Sequence, residues 1–320
     1  MRFFIAILAI FLFAGLPAGA LAQEPVEGTI SGQVINGTEG GGSVGGTVVS
    51  LLVYVDGLLS DTRTAVSDSE GKFEFVNINM EHTYLVSASY MDVDYYYPVV
   101  FEPGETVAYV EVGVCDTTTS DDNIRVGLTR KIMDFDDENL SVTEVYWLMN
   151  DGDRTYVGTD GVLFFPLPQG AYSFEAPEEL MIDYQLLDGD MVTYLVSFPP
   201  GERQLIYSYK LPGGDSDRLD IALAVNYPTD FLELLVAGDG VEVAVSQLAP
   251  VEPVVADTGE RYLYFRGQNF SPDEVIDVHL SGLSGGGGFP FYVLWIIIGV
   301  AVAVLAIYVV RRMLKVKIDG

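Results

Sequence analysis

Away from its two ends the chain shows no sustained helical period. Short runs rich in Val, Ile, Tyr, Phe and Thr recur instead, separated by Gly, Asp, Asn and Pro, which is how half-buried strands and their turns read. In the first part these runs fall at 29–34, 47–54, 84–90 and 107–114, with Phe73 and Phe75 alternating against Lys72 and Glu74 between them. A Gly-rich loop occupies 37–46, and 68–71 is a turn in which Gly71 is free to take positive φ. About seven strands are expected here, the complement of a β-sandwich. The polar stretch 117–122 then interrupts the pattern as a linker. Runs restart at 124–129 and 141–149, continue through 161–167, 170–175, 191–198 and 204–211, pause at the Pro-Gly-Gly-Asp stretch from Pro212, and resume at 220–227, 231–236, 241–247, 261–267 and 275–280.

The expected fold class is therefore all-β: tandem β-sandwich (immunoglobulin- or transthyretin-like) domains. A first domain covers 23–115, a linker 116–123, and a second β-rich region 124–283 with a break near 212–218. Periodicity leaves open whether that region is one large sandwich or two; two packed sub-domains are favoured.

The ends read differently. Arg2, the apolar core of 3–16 and the small residues Ala20-Leu21-Ala22 have the layout of a secretory signal over 1–22. The residue directly after the cleavage site is Gln23 and not cysteine, which argues against a lipoprotein anchor. Residues 289–310 are apolar or aromatic with no charge among them, and as a helix would reach about 33 Å, enough for a hydrocarbon core of about 30 Å. Phe289, Phe291, Tyr292 and Trp295 crowd one end of this run, and Arg311, Arg312, Lys315 and Lys317 follow the other as a membrane stop signal. One C-terminal transmembrane helix is thus expected, tethered through a Gly-rich leash at 284–288, with a basic cytoplasmic tail at 311–320. The expected localisation is a single-pass membrane protein with extracytoplasmic N-terminal domains.

Charge narrows the partners. The chain has 16 basic and 46 acidic residues. With Arg2, Asp319 and the four basic tail residues set aside, the ectodomain carries about −34. Such a field repels phosphate backbones, so no nucleic-acid partner is expected. Cys115 is the sole cysteine, so no intrachain disulfide can form and the cores must stand on burial alone.

Four segments in order carry a family resemblance: Gly28-Thr29-Ile30-Ser31-Gly32-Gln33-Val34, Gly46-Thr47-Val48-Val49-Ser50-Leu51, Ser67-Asp68-Ser69-Glu70-Gly71-Lys72-Phe73-Glu74-Phe75 and Tyr84-Leu85-Val86-Ser87-Ala88. They resemble the carboxypeptidase regulatory-like domain, a transthyretin-like sandwich related to the B-type repeats of bacterial adhesins. The resemblance covers about a quarter of the chain (27–114) and implies an accessory fold without peptidase activity. Some adhesin relatives carry an internal Lys–Asn cross-link. Lys72, the one lysine of this region, flanks a turn, so no such bond is expected here. The remainder is loosely similar to bacterial and archaeal envelope proteins that pair such a domain with a C-terminal span.

Candidate chemistry is sparse. His82, Cys115 and His279 lie far apart with no metal-ligand spacing, and no nucleophile elbow or phosphate-cradling loop occurs. No enzyme and no cofactor are expected. Asp92, Asp94, Asp134 and Asp136 are weak calcium candidates, since Ca²⁺ takes oxygens from such loops; aspartate is equally a turn residue, and that reading takes precedence. Tyr95 and Tyr97, beside Asp92 and Asp94, are candidate glycan contacts set against ordinary strand packing. The expected function is a non-enzymatic envelope interaction or scaffolding protein with an unknown protein or glycan partner. The alternatives are carbohydrate or calcium-dependent adhesion through the first sandwich, or an accessory subunit of an envelope transport or maturation complex.

Overall fold

A computed structural model of the chain describes residues 27–283 except 136–138, 178–180, 182, 188, 214–217 and 239. The signal (1–22), leash, span (289–310) and tail, with Arg311, Arg312, Lys315 and Lys317, lie outside the described residues, as does Asp136. No helix among the described residues is long and apolar enough to cross a membrane. The chain forms two compact units. The first holds the described residues to Ile35, Val44–Ser89 and Asp94–Val112; the second holds Asn36–Ser43, Tyr90–Val93 and the chain from Gly113.

The first unit is built from β1 (Glu27–Asn36), β2 (Val48–Val55), β3 (Leu58–Val66), β4 (Lys72–Asn79), β5 (Thr83–Tyr90), β6 (Val93–Pro98) and β7 (Val107–Val114). They make two sheets, β4-β1-β7 and β3-β2-β5-β6. Alternation decides which side chains are buried: β7 reads exposed–buried along its whole length. The inward rows, with Ile30, Phe75 and Val112 on one sheet and Val49, Leu51 and Val86 on the other, are almost fully buried. Asp56 and Gly57 both take positive φ, as a two-residue hairpin turn between β2 and β3 requires. Gly71 has φ 81°, and a Cβ there would stand 2.4 Å from the Val34 carbonyl oxygen, so glycine is demanded twice over.

The second unit contains β8 (Thr117–Thr118), β9 (Ile124–Phe135), β10 (Asn139–Asn150), β11 (Thr155–Tyr156), β12 (Leu163–Pro166), β13 (Tyr172–Glu175), β14 (Tyr184–Leu187), β15 (Met191–Tyr194) and β16 (Gly201–Pro212). It continues with β17 (Arg218–Ala224), β18 (Thr229–Ala237), β19 (Glu242–Val245), β20 (Ala249–Val255), β21 (Arg261–Phe270) and β22 (Val275–Ser281). One seven-stranded sheet, β13-β16-β10-β9-β18-β21-β20, runs through it, joined in the middle by the parallel pair β9–β18. The three-stranded sheets β12-β15-β14 and β17-β22-β19 supply the other layer. One apolar cluster spans both halves, from Val142, Leu148 and Tyr207 to Leu234, Val278 and Leu280. The break near 212–218 falls between β16 and β17. The stretch 116–123 is more than a linker: β8 pairs in parallel with β11, and Asp116 is buried by hydrogen bonding that polar composition alone did not reveal.

Candidate functional site

Two constellations stand out in the second unit, on opposite faces of the seven-stranded sheet. Alternation along β9 and β10 sends Lys131, Met133, Glu144, Tyr146 and Leu148 inward, while Arg130, Ile132 and Trp147 take the other face.

The inner constellation is a buried ion pair. Register sets Lys131 directly opposite Glu144, and Glu144 opposite Tyr207 on its other side. Lys131 Nζ lies 2.6 Å from Glu144 Oε1. Tyr209 OH donates to the same oxygen at 2.8 Å, while Tyr146 OH (2.5 Å) and Tyr207 OH (2.9 Å) donate to Oε2. Four donors therefore fill the four acceptor positions of one carboxylate. Burial pushes the Glu144 carboxyl up, but the Lys131 ammonium and the hydroxyls outweigh it and hold it below the usual carboxylate range. Burial, reinforced by the Glu144 charge, raises all three tyrosines well above their ordinary value. Lys131 is 3% exposed and Glu144 1%. The cluster is therefore an ion pair enclosed in the core.

In the outer constellation a buried Glu233 is flanked by arginines that reach solvent. Glu233 of β18 stands between Arg130 of β9 and Arg266 of β21 in register. Arg130 Nη2 lies 2.7 Å from Glu233 Oε2, and Tyr264 OH donates to Glu233 Oε1 at 2.7 Å. Both guanidinium groups also cover aromatic faces, Arg130 over Trp147 at 5.7 Å and Arg266 over Phe231 at 4.4 Å. Beside this charged row, Ile132, Leu235, Tyr262 and Tyr264 floor a groove of about 330 Å³ walled by Val254 and Val255 of β20. Val255 is 63% exposed. A concave apolar floor with a few convergent polar groups is the usual form of a recognition surface.

Asp134 lies at the end of the groove row. Tyr262 OH donates to Asp134 Oδ1 at 2.8 Å and lies 3.1 Å from Glu260 Oε2. Burial, aided by the Glu260 charge and opposed by the Tyr262 hydrogen bond, pushes Asp134 up to about 6. A carboxyl raised on folding binds its proton more tightly in the native state, so stability is expected to fall as pH rises from about 4 through about 6. Asp134→Asn is expected to remove that slope and raise stability at pH 7 by about 2 kcal/mol. Urea titrations of both proteins at pH 4 and pH 7 check this, and an identical slope in the variant refutes it.

A third knot gathers residues that no local motif announces. Asn36 Nδ2 donates to Asp116 Oδ1 at 2.8 Å and to the Gly42 carbonyl at 3.0 Å, while Tyr90 OH donates to Asp116 Oδ1 at 2.9 Å. The hydrogen bond from Asn36 leads in holding Asp116 below the usual carboxylate range, with Gly42 N–H, Tyr90 and Arg154 adding to it against burial. Asn36 is the first residue of a glycosylation sequon, and its amide nitrogen is already engaged in this network.

The remaining expected site residues do not converge. Asp92 is exposed with φ 63° in the turn before β6, and Asp94 is exposed and accepts from Ser89 Oγ. Among the described residues, no group of three or more His, Cys, Asp or Glu side chains is placed to hold a metal ion. Tyr95 is 7% exposed and packs inward, so it offers no stacking face. Tyr97 is half-buried, and the outward ring of β6 is Tyr96. Lys72 is exposed and pairs with Glu70.

No protein-family model and no curated protein matches the chain. Among solved structures it is similar to a candidate protease of Parabacteroides distasonis at 13% identity and TM-score 0.33, covering 50% of this chain and 40% of that one. It is also similar to the full-length major pilin SpaD of Corynebacterium diphtheriae, at 12% identity and TM-score 0.25, over 79% and 82% of the two chains. A third is the RrgB pilus protein of Streptococcus pneumoniae, at 8% identity and TM-score 0.22, over 79% and 61%. At such identities and scores these likenesses assign no activity or partner to this chain. The β-sandwich class rests on its own strand order.

Proposed function

We propose that the chain is a non-enzymatic, membrane-anchored extracytoplasmic interaction or scaffolding protein that engages an amphipathic protein segment through the outer face of the seven-stranded sheet. The groove beside Arg130, Glu233 and Tyr264 carries this reading, because it combines an apolar floor with fixed charges and is open to solvent. The secretory start, the apolar run of 289–310 and the basic residues behind it support the placement outside a membrane. The three-plus-four strand arrangement of the first unit is compatible with the regulatory-like sandwich that the sequence resembles, and with its accessory role.

The test uses the full chain in its native membrane with a photoreactive side chain at Val255, compared with one at Asp277 on β22. A protein cross-link is expected at Val255 and not at Asp277, and it is expected to be lost in Arg130→Glu and Tyr264→Ala. Equal labelling at both positions, or labelling indifferent to the two substitutions, overturns the groove as the working surface.

A further inference from the structure

The edge strand β3 carries a sequence complementary to itself. It pairs with β2 on one side and ends its sheet on the other. Just beyond it, Ser67 N–H donates to the Thr47 carbonyl. Bonded and non-bonded residues alternate along an antiparallel ladder, so the N–H and C=O groups of Thr62, Thr64 and Val66 face away from β2. In keeping with this, the Thr62 N–H is bonded by the carboxylate of its own neighbour Asp61 at 2.8 Å. Leu58, Leu59 and Val66 are 75%, 57% and 63% exposed. Two other edges carry proline: β20 has Pro250 and Pro253, and β6 ends at Pro98. β7, an edge free of proline and lysine like β3, has only acidic charge and no such self-complementary pair. β3 runs nine residues with neither proline nor lysine.

We propose that β3 is a self-association edge, through which two copies of the chain pair as antiparallel strands about a two-fold axis at Thr62. In that register Thr62 faces Thr62, and Asp61 of each copy faces Arg63 of the other. Two opposite-charge pairs are thus made at once, as an isologous contact demands. The exposed Leu58 and Leu59, beyond the irregularity at Ser60, lie toward the Ala65–Val66 end of the other copy. Neighbouring registers lose this match. Centring on Asp61 or Arg63 sets like charges face to face, and centring on Thr64 sets Asp61 against Ser67 and Arg63 against Ala65. The irregularity of the β2–β3 ladder lies near Ser60, so the Thr62 pair and both charge pairs fall on regular strand. Arg63 is held at the edge by donating from Nη2 to the Val76 carbonyl at 2.7 Å. When Thr62 N–H joins the new ladder it releases the Asp61 carboxylate, which then meets a guanidinium already in place on the other copy. This inference is independent of the groove on the second unit, and either can fail alone.

Single-cysteine scanning of the full chain in its membrane, in a Cys115→Ser background, tests the register. Thr62→Cys is expected to give a disulfide-linked dimer on mild oxidation, because opposed residues of a bonded pair stand about 5.5 Å apart at Cα. Thr64→Cys, whose copies stand about 13 Å apart in this register, is not. By light scattering in detergent the parent is expected to be a dimer and Thr62→Pro a monomer, with its melting temperature retained because the lost N–H serves no ladder bond. Asp61→Arg, at an exposed position, is expected to raise the dimer dissociation constant about tenfold. A parent that is monomeric at every concentration overturns the proposal. So does equal cross-linking at positions 62 and 64, or a dimer indifferent to Asp61→Arg.

Discussion

Replacing Lys131 with methionine is expected to lower the stability of the second unit by about 3–5 kcal/mol, the range for breaking a buried ion pair from one side. Methionine comes close to filling the lysine stem's volume, so the loss is electrostatic rather than a matter of packing. Glu144 would keep its three tyrosine donors but lose the ammonium that offsets its burial. The hydroxyls hold part of that charge, which puts the expected loss toward the lower end. The pH dependence gives a second, sharper reading. In the parent the folded carboxyl is depressed, so its contribution is present above the ordinary carboxylate range and fades as pH falls through the folded value. Without Lys131 burial dominates, the folded carboxyl rises, and this contribution is expected to reverse sign, so that stability falls as pH increases from about 4. Lys131→Met with Glu144→Leu is expected to recover part of the loss. It stops short of full recovery because three buried hydroxyls then share few acceptors, although Tyr207 OH and Tyr146 OH stand 3.4 Å apart and can pair. Urea unfolding followed by Trp147 fluorescence in a Trp295→Phe background measures all three proteins. A Lys131→Met protein that matches the parent in midpoint and pH profile refutes the account.

The same residue shows where sequence reading stops. Residues 107–114 announce their strand because apolar and polar side chains alternate without a break, and β7 has those bounds. The expected strand at 124–129 ended short because Arg130 and Lys131 look like a solvated break, whereas β9 continues to Phe135. Lys131 is tolerated inside only because register delivers Glu144 opposite it and β16 delivers Tyr207 and Tyr209. Those pairings are tertiary facts that no local window contains. β3 was missed for the opposite reason: an edge strand wetted on both sides has no apolar alternation to show. The groove stayed hidden because its wall, β20, contains two prolines that read as loop, though both fit an edge. Tyr95 and Tyr97 share one face of β6 by their spacing of two, and Tyr96 takes the other. Which face points inward is set by the rest of the sandwich, and it is the face of Tyr95 that packs.

In the first unit the largest expected loss comes from a single methyl group. Gly32→Ala is expected to cost about 3 kcal/mol, at the upper end for overpacking a core. β1 is the middle strand of β4-β1-β7, and Gly32 stands opposite Phe73 in the ladder with β4. A Cβ at Gly32 would lie 2.4 Å from Phe73 Cζ and 2.2 Å from the Val110 carbonyl oxygen. The ring can turn aside, but the carbonyl belongs to the backbone of β7 and moves only if the strands part. Relief therefore has to come from widening the β1–β7 spacing, which weakens ladder bonds that burial leaves without water as a substitute. Removing the ring should not rescue the variant, since Phe73→Ala leaves the carbonyl contact and opens a cavity of its own. Gly37→Ala is the matched control: its nearest neighbour would be Cys115 Sγ at 3.5 Å, an ordinary contact, and a change within about 0.5 kcal/mol is expected. Hydrogen exchange resolves the effect by unit. Protection in peptides spanning 27–36 and 107–114 should fall by about two orders of magnitude in Gly32→Ala, while peptides from β10 and β16 keep theirs. Unchanged protection of β1 and β7 would show that the sheet accommodates a side chain at this position and that the close approach of the two backbones is not what fixes glycine there.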